Sequence, residues 1–364
     1  MRKNSSDNNG QIVALDFFCG CGGVAKGMTK AGVKVLAGFD NNPRLKGNFE
    51  LNNSGAEFIA TDISNKEEMI NSIKKALKAH ILNKKIFSAC APCQPFSLHN
   101  RNHENDTRKN LMLSFINIID ELPDKLRPNV IFAENVGPMK KRGEYVISEV
   151  LKKLTALNYC ILPPKVINAY EFGVPQNRKR LIYVAILKID LINVDKFSWD
   201  YLYKHYREEG GDVRRAIGHL LPIPAGLKIN DKDPLHLTRC LSEKNLHRIK
   251  QITIPGGSRN MWEKRLNLSC YENHKGHRDV YGRMSWDKPA PTLTCRCISI
   301  SNGRFGHPEQ DRAISIREAA ILQTMDDFQF EEPILMTNIA QQIGNAVPPK
   351  LAEKFGKYIL ELLG

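Results

Sequence analysis

Between positions 11 and 190, short apolar runs alternate with longer amphipathic stretches. The runs IVALDFF, VKVLAGFD, AEFIATD, KIFSAC, NVIFAEN and KRLIYVAIL consist mostly of Val, Ile, Phe and Ala and read as strands. Segments between and after them, such as SNKEEMINSIKKALKAHI and GEYVISEVLKKLTALN, place their apolar residues at helical spacing. Alternation of this kind predicts βαβ crossovers: an α/β fold whose mixed, mostly parallel sheet is covered on both faces. Ligands of such sheets bind beyond the carboxyl ends of the strands, so the residues there come under scrutiny first.

From 191 to 311 the alternation breaks into short pieces rich in Gly, Pro, aromatic residues and His; seven of the ten His fall here. Positions 191 to 300 hold 19 Lys+Arg against 12 Asp+Glu, a local excess of +7. This predicts a separate, loop-rich, basic module, with most of its Lys and Arg serving as sequence-indifferent phosphate partners. After 312 regular pattern returns: SIREAAILQTM and LAEKFGKYILELL are both helical, and the end of the chain is expected to pack back on the first domain. The predicted organisation is therefore 1–190 plus 312–364 as one domain and 191–311 as an insert.

The composition is that of a soluble globular protein. The 364 residues are 42% hydrophobic and 25% charged, with 25 Gly, 19 Pro and 9 Cys, which excludes collagen, low-complexity disorder and a disulfide-dense miniprotein. No apolar run approaches the ~18 residues that a membrane span needs. The start, MRKNSSDNNG, is polar and lacks the apolar core of a secretion signal, so the chain reads as cytoplasmic and without a membrane partner. In that compartment the nine thiols are expected to be reduced, which makes any well-placed Cys a candidate for catalysis or metal rather than a bridge. The net charge of +14 favours a polyanionic partner such as nucleic acid, although a solvated basic surface gives the same balance.

Candidate chemistry sits at the strand ends. The first strand runs through Asp16-Phe17-Phe18-Cys19-Gly20-Cys21-Gly22-Gly23 into a helix; glycines at such a turn fit either a cofactor loop or merely a tight turn. Ala25 stands where the third Gly of a GxGxxG would be. Asp40 and Asp62 end the next two strands; a carboxylate there accepts hydrogen bonds from a ribose or caps a helix. KIFSAC leads into Ala91-Pro92-Cys93-Gln94-Pro95-Phe96-Ser97, which places Cys93 for nucleophilic attack. A redox pair Cys90/Cys93, or a zinc site completed by Cys295 and Cys297, stays open at this point, although Cys295-Arg296-Cys297 lacks the usual ligand spacing. Glu134-Asn135 ends the following strand, where a carboxylic acid beside a nucleophilic Cys suggests proton donation or a hydrogen bond to a ring nitrogen. In Gln176-Asn177-Arg178-Lys179-Arg180 alternate arginines suit a phosphate or a base oxygen, or line a solvated edge.

Taken in order, FxGxGG, PCQPFS, ENV, QxRxR and the late Gln342-Ile343-Gly344-Asn345-Ala346-Val347-Pro348-Pro349 resemble the DNA cytosine-5 methyltransferase family, from Asp16 to Pro349. The resemblance implies an S-adenosyl-L-methionine (AdoMet)-dependent, Rossmann-like domain with a smaller inserted target-recognition domain. It implies AdoMet contacts from Phe18, Gly20, Gly22, Gly23, Asp40, Asp62, Ile63, Pro92, Leu111, Asn345 and Ala346. Cys93 resembles the nucleophile, Glu134 the residue that binds the cytosine ring, and Arg178 with Arg180 the pair beside the Cys-bearing loop and base oxygen. No metal is implied.

The partner implied is double-stranded DNA, with the target base flipped out of the helix. Gln94, Ser97, Arg101, Arg108, Thr292, Leu293, Arg296 and Arg304 are the expected DNA contacts; Ser97 to Asn110 reads as a lid or as a plain surface loop. The resemblance further implies a monomer, nucleoid-associated in the cytoplasm, functionally paired with a restriction endonuclease or solitary. This sequence departs from the family pattern at Cys19, Cys21, Asp40, Asn41 and Met325. The branch that methylates tRNA shows a Cys-Phe-Thr motif, which is absent here. A catalytically idle DNA-binding homologue is opposed by intact Cys93, Glu134 and Arg180.

Overall fold

The computed structural model describes residues 10–92, 94–96, 106–226, 232–268 and 279–364. They form two compact units: 1–168, 179–207 and 347–364 make the first, and 169–178 with 208–346 make the second.

The strands are β1 (Val13–Phe17), β2 (Lys34–Asp40), β3 (Glu57–Ala60), β4 (Lys85–Ala89), β5 (Val130–Val136), β6 (Tyr159–Asn168), β7 (Gln176–Asn177), β8 (Lys179–Leu187) and β9 (Ala290–Pro291). In the first unit seven of them form one sheet in the order β3-β2-β1-β4-β5-β8-β6. The pairs from β3 through to β5 are parallel, whereas β8 runs antiparallel to both β5 and β6. The sheet is thus mixed and mostly parallel, as the alternating pattern predicts. Strand β6, YCILPPKVIN, has no counterpart among the predicted strands; Pro163-Pro164 interrupts its pattern at the irregularity between Leu162 and Lys165.

Every residue of β1 and β4 is buried, as expected of central strands covered on both faces. Phe17 stacks on Phe39 at 4.8 Å between centroids and meets Phe87 and Phe115 at 5.2 and 4.9 Å. The chain winds from β1 outward to β3, then returns to β4 on the other side of β1, so the crevice past the ends of β1 and β4 is the switch point where such folds bind ligands. Helix Gly23–Ala31 lies against helix Pro349–Leu363, and small residues let them meet: a Cβ on Gly27 would lie 2.4 Å from the Pro349 carbonyl oxygen, and one on Gly356 would lie 2.7 Å from Ala31 Cβ.

The second unit has little regular structure. It contains the two-residue parallel pair β7–β9 and a core that includes Ile249, Ile252, Trp262, Tyr281 and Ile300. Irregular backbone leaves carbonyls that need donors, and buried guanidiniums supply them. Arg283 donates to the carbonyls of Ile249, Ile252, His307 and Gln310; Arg248 donates to that of Leu266. Arg312 forms a two-pronged pair with Glu318, 2.7 Å on each prong and fully buried. The expectation that most of the basic residues here meet phosphate is corrected to this extent: several hold the loops together.

The unit boundaries also differ from the expected ones. Residues 191–207 fall in the first unit, because Tyr201 and Tyr206 donate to the Glu361 carboxylate and Trp199 Nε1 donates to the Pro163 carbonyl. Residues 312–346 fall in the second, where Arg317 pairs with Asp233 and the Ile316 amide donates to the Leu237 carbonyl.

Candidate active site

The turn after β1 is built by left-handed backbone. Phe18, Gly20 and Gly22 have φ of 57°, 57° and 88°. The amides of Cys19 and Gly22 donate to the carbonyls of Phe39 and Cys19. Gly20 N–H donates to Asp40 Oδ2 at 3.1 Å, and Asn42 N–H to Asp40 Oδ1 at 3.0 Å. This fixes the carboxylate at the end of β2, and partial burial raises its pKa above the usual carboxylate range. A Cβ on Gly20 would have no heavy atom within 4 Å, so the backbone faces open space, whereas one on Gly22 would lie 2.1 Å from Asn53 Nδ2. Gly23 is the first helical residue and is buried.

Asp62, at the mouth of the same edge, accepts from the amide and hydroxyl of Ser64 and from Asn41 Nδ2, which lowers its pKa. Ile63 is buried, and Pro92 and Leu111 are half-buried. An open glycine face beside a fixed carboxylate, at the switch-point crevice, fits a nucleoside cofactor with ribose hydroxyls to donate. Cys19 and Cys21 are buried thiols with pKa raised by burial, Cys21 to about 12, so neither is a ready metal ligand. Among the described residues no three His, Cys, Asp or Glu side chains converge on a metal position.

Strands β4 and β5 bring the next group together. Asn135 Nδ2 donates to the Ala91 carbonyl at 3.1 Å, which ties the start of the loop that leads to Cys93 onto the end of β5. Beside Asn135, Glu134 is buried and its Oε1 lies 2.7 Å from Arg180 Nε, with Arg180 arriving on antiparallel β8. The contact is an ion pair off the line of a hydrogen bond, so Oε1 accepts no hydrogen bond among the described residues. The Cys90 thiol has its pKa pushed well up, first by burial and then by the Glu134 charge. Cys90 is therefore held as a thiol, which argues against an ionised Cys90/Cys93 pair. Cys93, Ser97 and Arg101 lie outside the described residues, as does the side chain of Gln94, whose backbone opens a short turn Gln94–Phe96.

Arg178, expected beside Arg180 in the catalytic set, does something else. It belongs to the second unit and is 1% exposed; it donates to the carbonyls of Leu293, Gly344 and Ala346 at 3.0, 3.0 and 2.9 Å. Gln176, which the motif includes without a role, and Gln323, which sequence reasoning missed, complete a closed ring with it. Gln176 accepts from Leu293 N–H and donates to Gln323 Oε1; Gln323 donates to the Ala346 carbonyl. Leu293 is thus held at both its amide and its carbonyl. The same packing presses Gly344 onto the segment after β9, where a Cβ would lie 2.4 Å from the Thr294 carbonyl oxygen. No composition or spacing signal marks Gln323, since its partners lie at positions 176 and 346. Asn345 is exposed and accepts a hydrogen bond from the Cys295 thiol.

The remaining expected DNA contacts divide. Thr292 spends its hydroxyl on the Asn177 carbonyl and Leu293 is buried. Arg108 is paired with Asp106, and Arg304 with Asp279 and the Gly256 and Gly257 carbonyls, so neither guanidinium stands free for a phosphate. Arg296 is exposed in the second unit.

Comparison with known proteins places this arrangement. Residues 12–361 match the model of the C-5 cytosine-specific DNA methylase family. The type II methylase M.HgiDII of Herpetosiphon aurantiacus is 37% identical over 96% of this chain and 95% of its own length. The type II methyltransferase M.Eco47II of Escherichia coli is 28% identical over 98% of this chain and 80% of its own. Among solved structures, an E. coli prophage protein described as a DNA modification methyltransferase shares the fold at a TM-score of 0.74 and 20% identity, covering 97% of this chain and 99% of that one. Schizosaccharomyces pombe Dnmt2 does so at 0.60 and 16%, covering 96% and 98%. The chain belongs to the C-5 cytosine-specific DNA methylase family and is a DNA (cytosine-5-)-methyltransferase.

Proposed function

We propose that this chain transfers a methyl group from AdoMet to carbon 5 of one cytosine within a short double-stranded DNA sequence, and so shields that sequence from a partner restriction endonuclease. The observation that carries the reading is Glu134: a buried carboxylate whose Oε1 is paired with Arg180 yet receives no hydrogen bond among the described residues, at the strand end beside the anchored loop leading to Cys93. Such an oxygen suits the ring nitrogen and amino group of a cytosine turned out of the duplex.

In this reading the Cys93 sulfur attacks carbon 6 of the flipped cytosine, while the Glu134 carboxyl gives a proton to nitrogen 3 and accepts from the amino group. Electron density then gathers at carbon 5. Arg180 holds the Glu134 carboxyl in place from β8, and it lies within reach of the base oxygen. AdoMet, when bound, supplies an electrophilic methyl group. Loss of the carbon 5 proton and elimination of the Cys93 sulfur restore the aromatic ring and free the enzyme.

Asp40 would accept from the ribose hydroxyls, the Phe18–Gly23 turn would lie along the cofactor, and Asp62, Ile63, Pro92 and Leu111 would complete its pocket. Arg178 acts here as a positioning residue through Leu293 and Ala346. Gln94, Ser97, Arg101 and Arg296 would meet DNA, with the enzyme working as a monomer. The first unit would carry the cofactor and the second most of the target recognition.

Base-resolved 5-methylcytosine mapping in a host lacking its own cytosine methylation tests this reading. Expression of the chain should mark one short motif, and the Cys93→Ala variant none, with AdoMet binding retained. Methylation that persists in Cys93→Ala would overturn the nucleophile assignment, and a bare genome with soluble protein would overturn DNA as the substrate.

A further inference from the structure

The second unit opens a concavity of about 550 Å3 that no expectation placed there. Arg239 and Arg296 line its walls with Asn302 and Gln341, and Ile298 and Ala340 contribute apolar surface. The two arginines differ from their neighbours. Arg178, Arg248, Arg283, Arg304 and Arg312 spend their donors on carbonyls and carboxylates inside the unit. Arg239 and Arg296 are exposed, have no acidic or carbonyl partner among the described residues, and meet no Asp or Glu in the lining.

Unpaired guanidiniums alone would suit a phosphate. The rest of the lining argues for something more selective. Asn302 turns its Nδ2 toward Ser299 Oγ at 3.1 Å, which leaves its carbonyl oxygen as an acceptor, and Gln341 brings a second amide. A phosphate offers only acceptors. The major-groove edge of DNA offers donors, acceptors and apolar methyl groups together, and guanine takes a two-pronged contact from Arg.

The concavity is also held firmly. Arg296 follows Leu293 by three residues; Leu293 is clamped at both ends of its backbone by Gln176 and Arg178, and the Cys297 amide closes the turn onto the Thr294 carbonyl at 3.0 Å. Rigid mounting of this kind is what base reading needs.

We propose that Arg239 and Arg296 read purine edges of the target sequence from this concavity and are specificity-determining residues of the enzyme. The proposal rests on duplex DNA as the substrate and adds to that reading where the sequence is read.

The test uses the full chain on a pool of duplexes randomised around cytosine, with methylated products sequenced, for wild type, Arg239→Ala, Arg296→Ala and the two Lys variants. Neither arginine holds the fold together, so the variants should remain folded. Each Ala variant should relax the preference at one or two adjacent base pairs by roughly 10- to 100-fold, with Lys restoring only part of it. Unchanged preference would overturn the proposal, whether the rate is unaltered or falls at all sites with a salt slope shallower by about one, the mark of a lost phosphate contact. A binding selection from the same pool reads the preference of any variant too slow to methylate. A wild-type chain that binds selectively but methylates nothing would strike the methyl-transfer reading and leave this proposal standing.

Discussion

Arg180 Nε stands 2.7 Å from Glu134 Oε1, with the two side chains 11% and 9% exposed. Both side chains are sheltered from water and each is the other's nearest counter-charge, so the pair is a unit. Removing one partner of a buried pair typically costs about 3–5 kcal/mol through the charge left behind. Arg180→Met should therefore lower stability by roughly that amount in urea titration and abolish turnover. Glu134→Gln keeps the shape and loses the charge; kcat should fall on the order of 10²- to 10⁴-fold with DNA affinity changed far less. Wild-type kcat in Glu134→Gln would remove Glu134 from the chemistry.

The ring through Gln176, Arg178 and Gln323 predicts a different signature. Lys in place of Arg178 brings one ammonium where three carbonyls wait, and each buried acceptor left unpaired costs about 1–3 kcal/mol. Arg178→Lys should lower the unfolding midpoint and raise the KM for DNA, because the guanidinium holds the Leu293 backbone three residues before Arg296. A change in kcat alone would mean that Arg178 touches the reacting atoms after all.

Asp16 supplies the pH dependence. It is buried in β1, accepting from Ser88 Oγ at 2.6 Å and Ala25 N–H at 3.2 Å, and burial raises its pKa from 3.8 to about 7. The folded state then binds this proton more tightly than the unfolded chain, so the group's contribution is full below about pH 4 and is lost as pH rises to about 7. Asp16→Asn removes that penalty. Its stability relative to wild type should be higher at pH 8 than at pH 5 by a few kcal/mol, read from paired denaturant curves. Parallel curves at the two pH values would contradict a buried proton on Asp16.

Two glycines of one turn should separate folding from cofactor binding. At Gly22 a methyl would collide with Asn53 and Phe49 on a backbone at φ 88°, so Gly22→Ala should cost more than about 2 kcal/mol. At Gly20 a methyl meets nothing, so Gly20→Ala should fold at a cost of about 1 kcal/mol and yet weaken AdoMet at least tenfold by calorimetry. Undiminished AdoMet affinity in Gly20→Ala would place the cofactor elsewhere.

Local signals made the first unit legible. Period, strand length and end residues announced β1 to β5 and β8, and with them Asp40 and Glu134, because a parallel sheet puts such residues at one edge by construction. The second unit resisted because it is stabilised by long-range pairs. Nothing near Arg178 in the chain indicates Leu293 or Ala346, and nothing near Arg317 indicates Asp233. A basic segment reads as a DNA surface until the structure shows which cations are already occupied. The shift of 191–207 into the first unit has the same origin, since Tyr201 and Tyr206 answer to Glu361, more than 150 positions away.

The contact between helix Gly23–Ala31 and helix Pro349–Leu363 has a consequence for biosynthesis. The face around Val24, Gly27 and Met28 leaves the ribosome well before its cover, which follows more than 300 residues later in the chain. At roughly 5–20 residues per second the nascent chain carries that apolar stripe unprotected for tens of seconds. Closing a loop of this length adds an entropic barrier, so the final docking step should be slow and chaperone-sensitive.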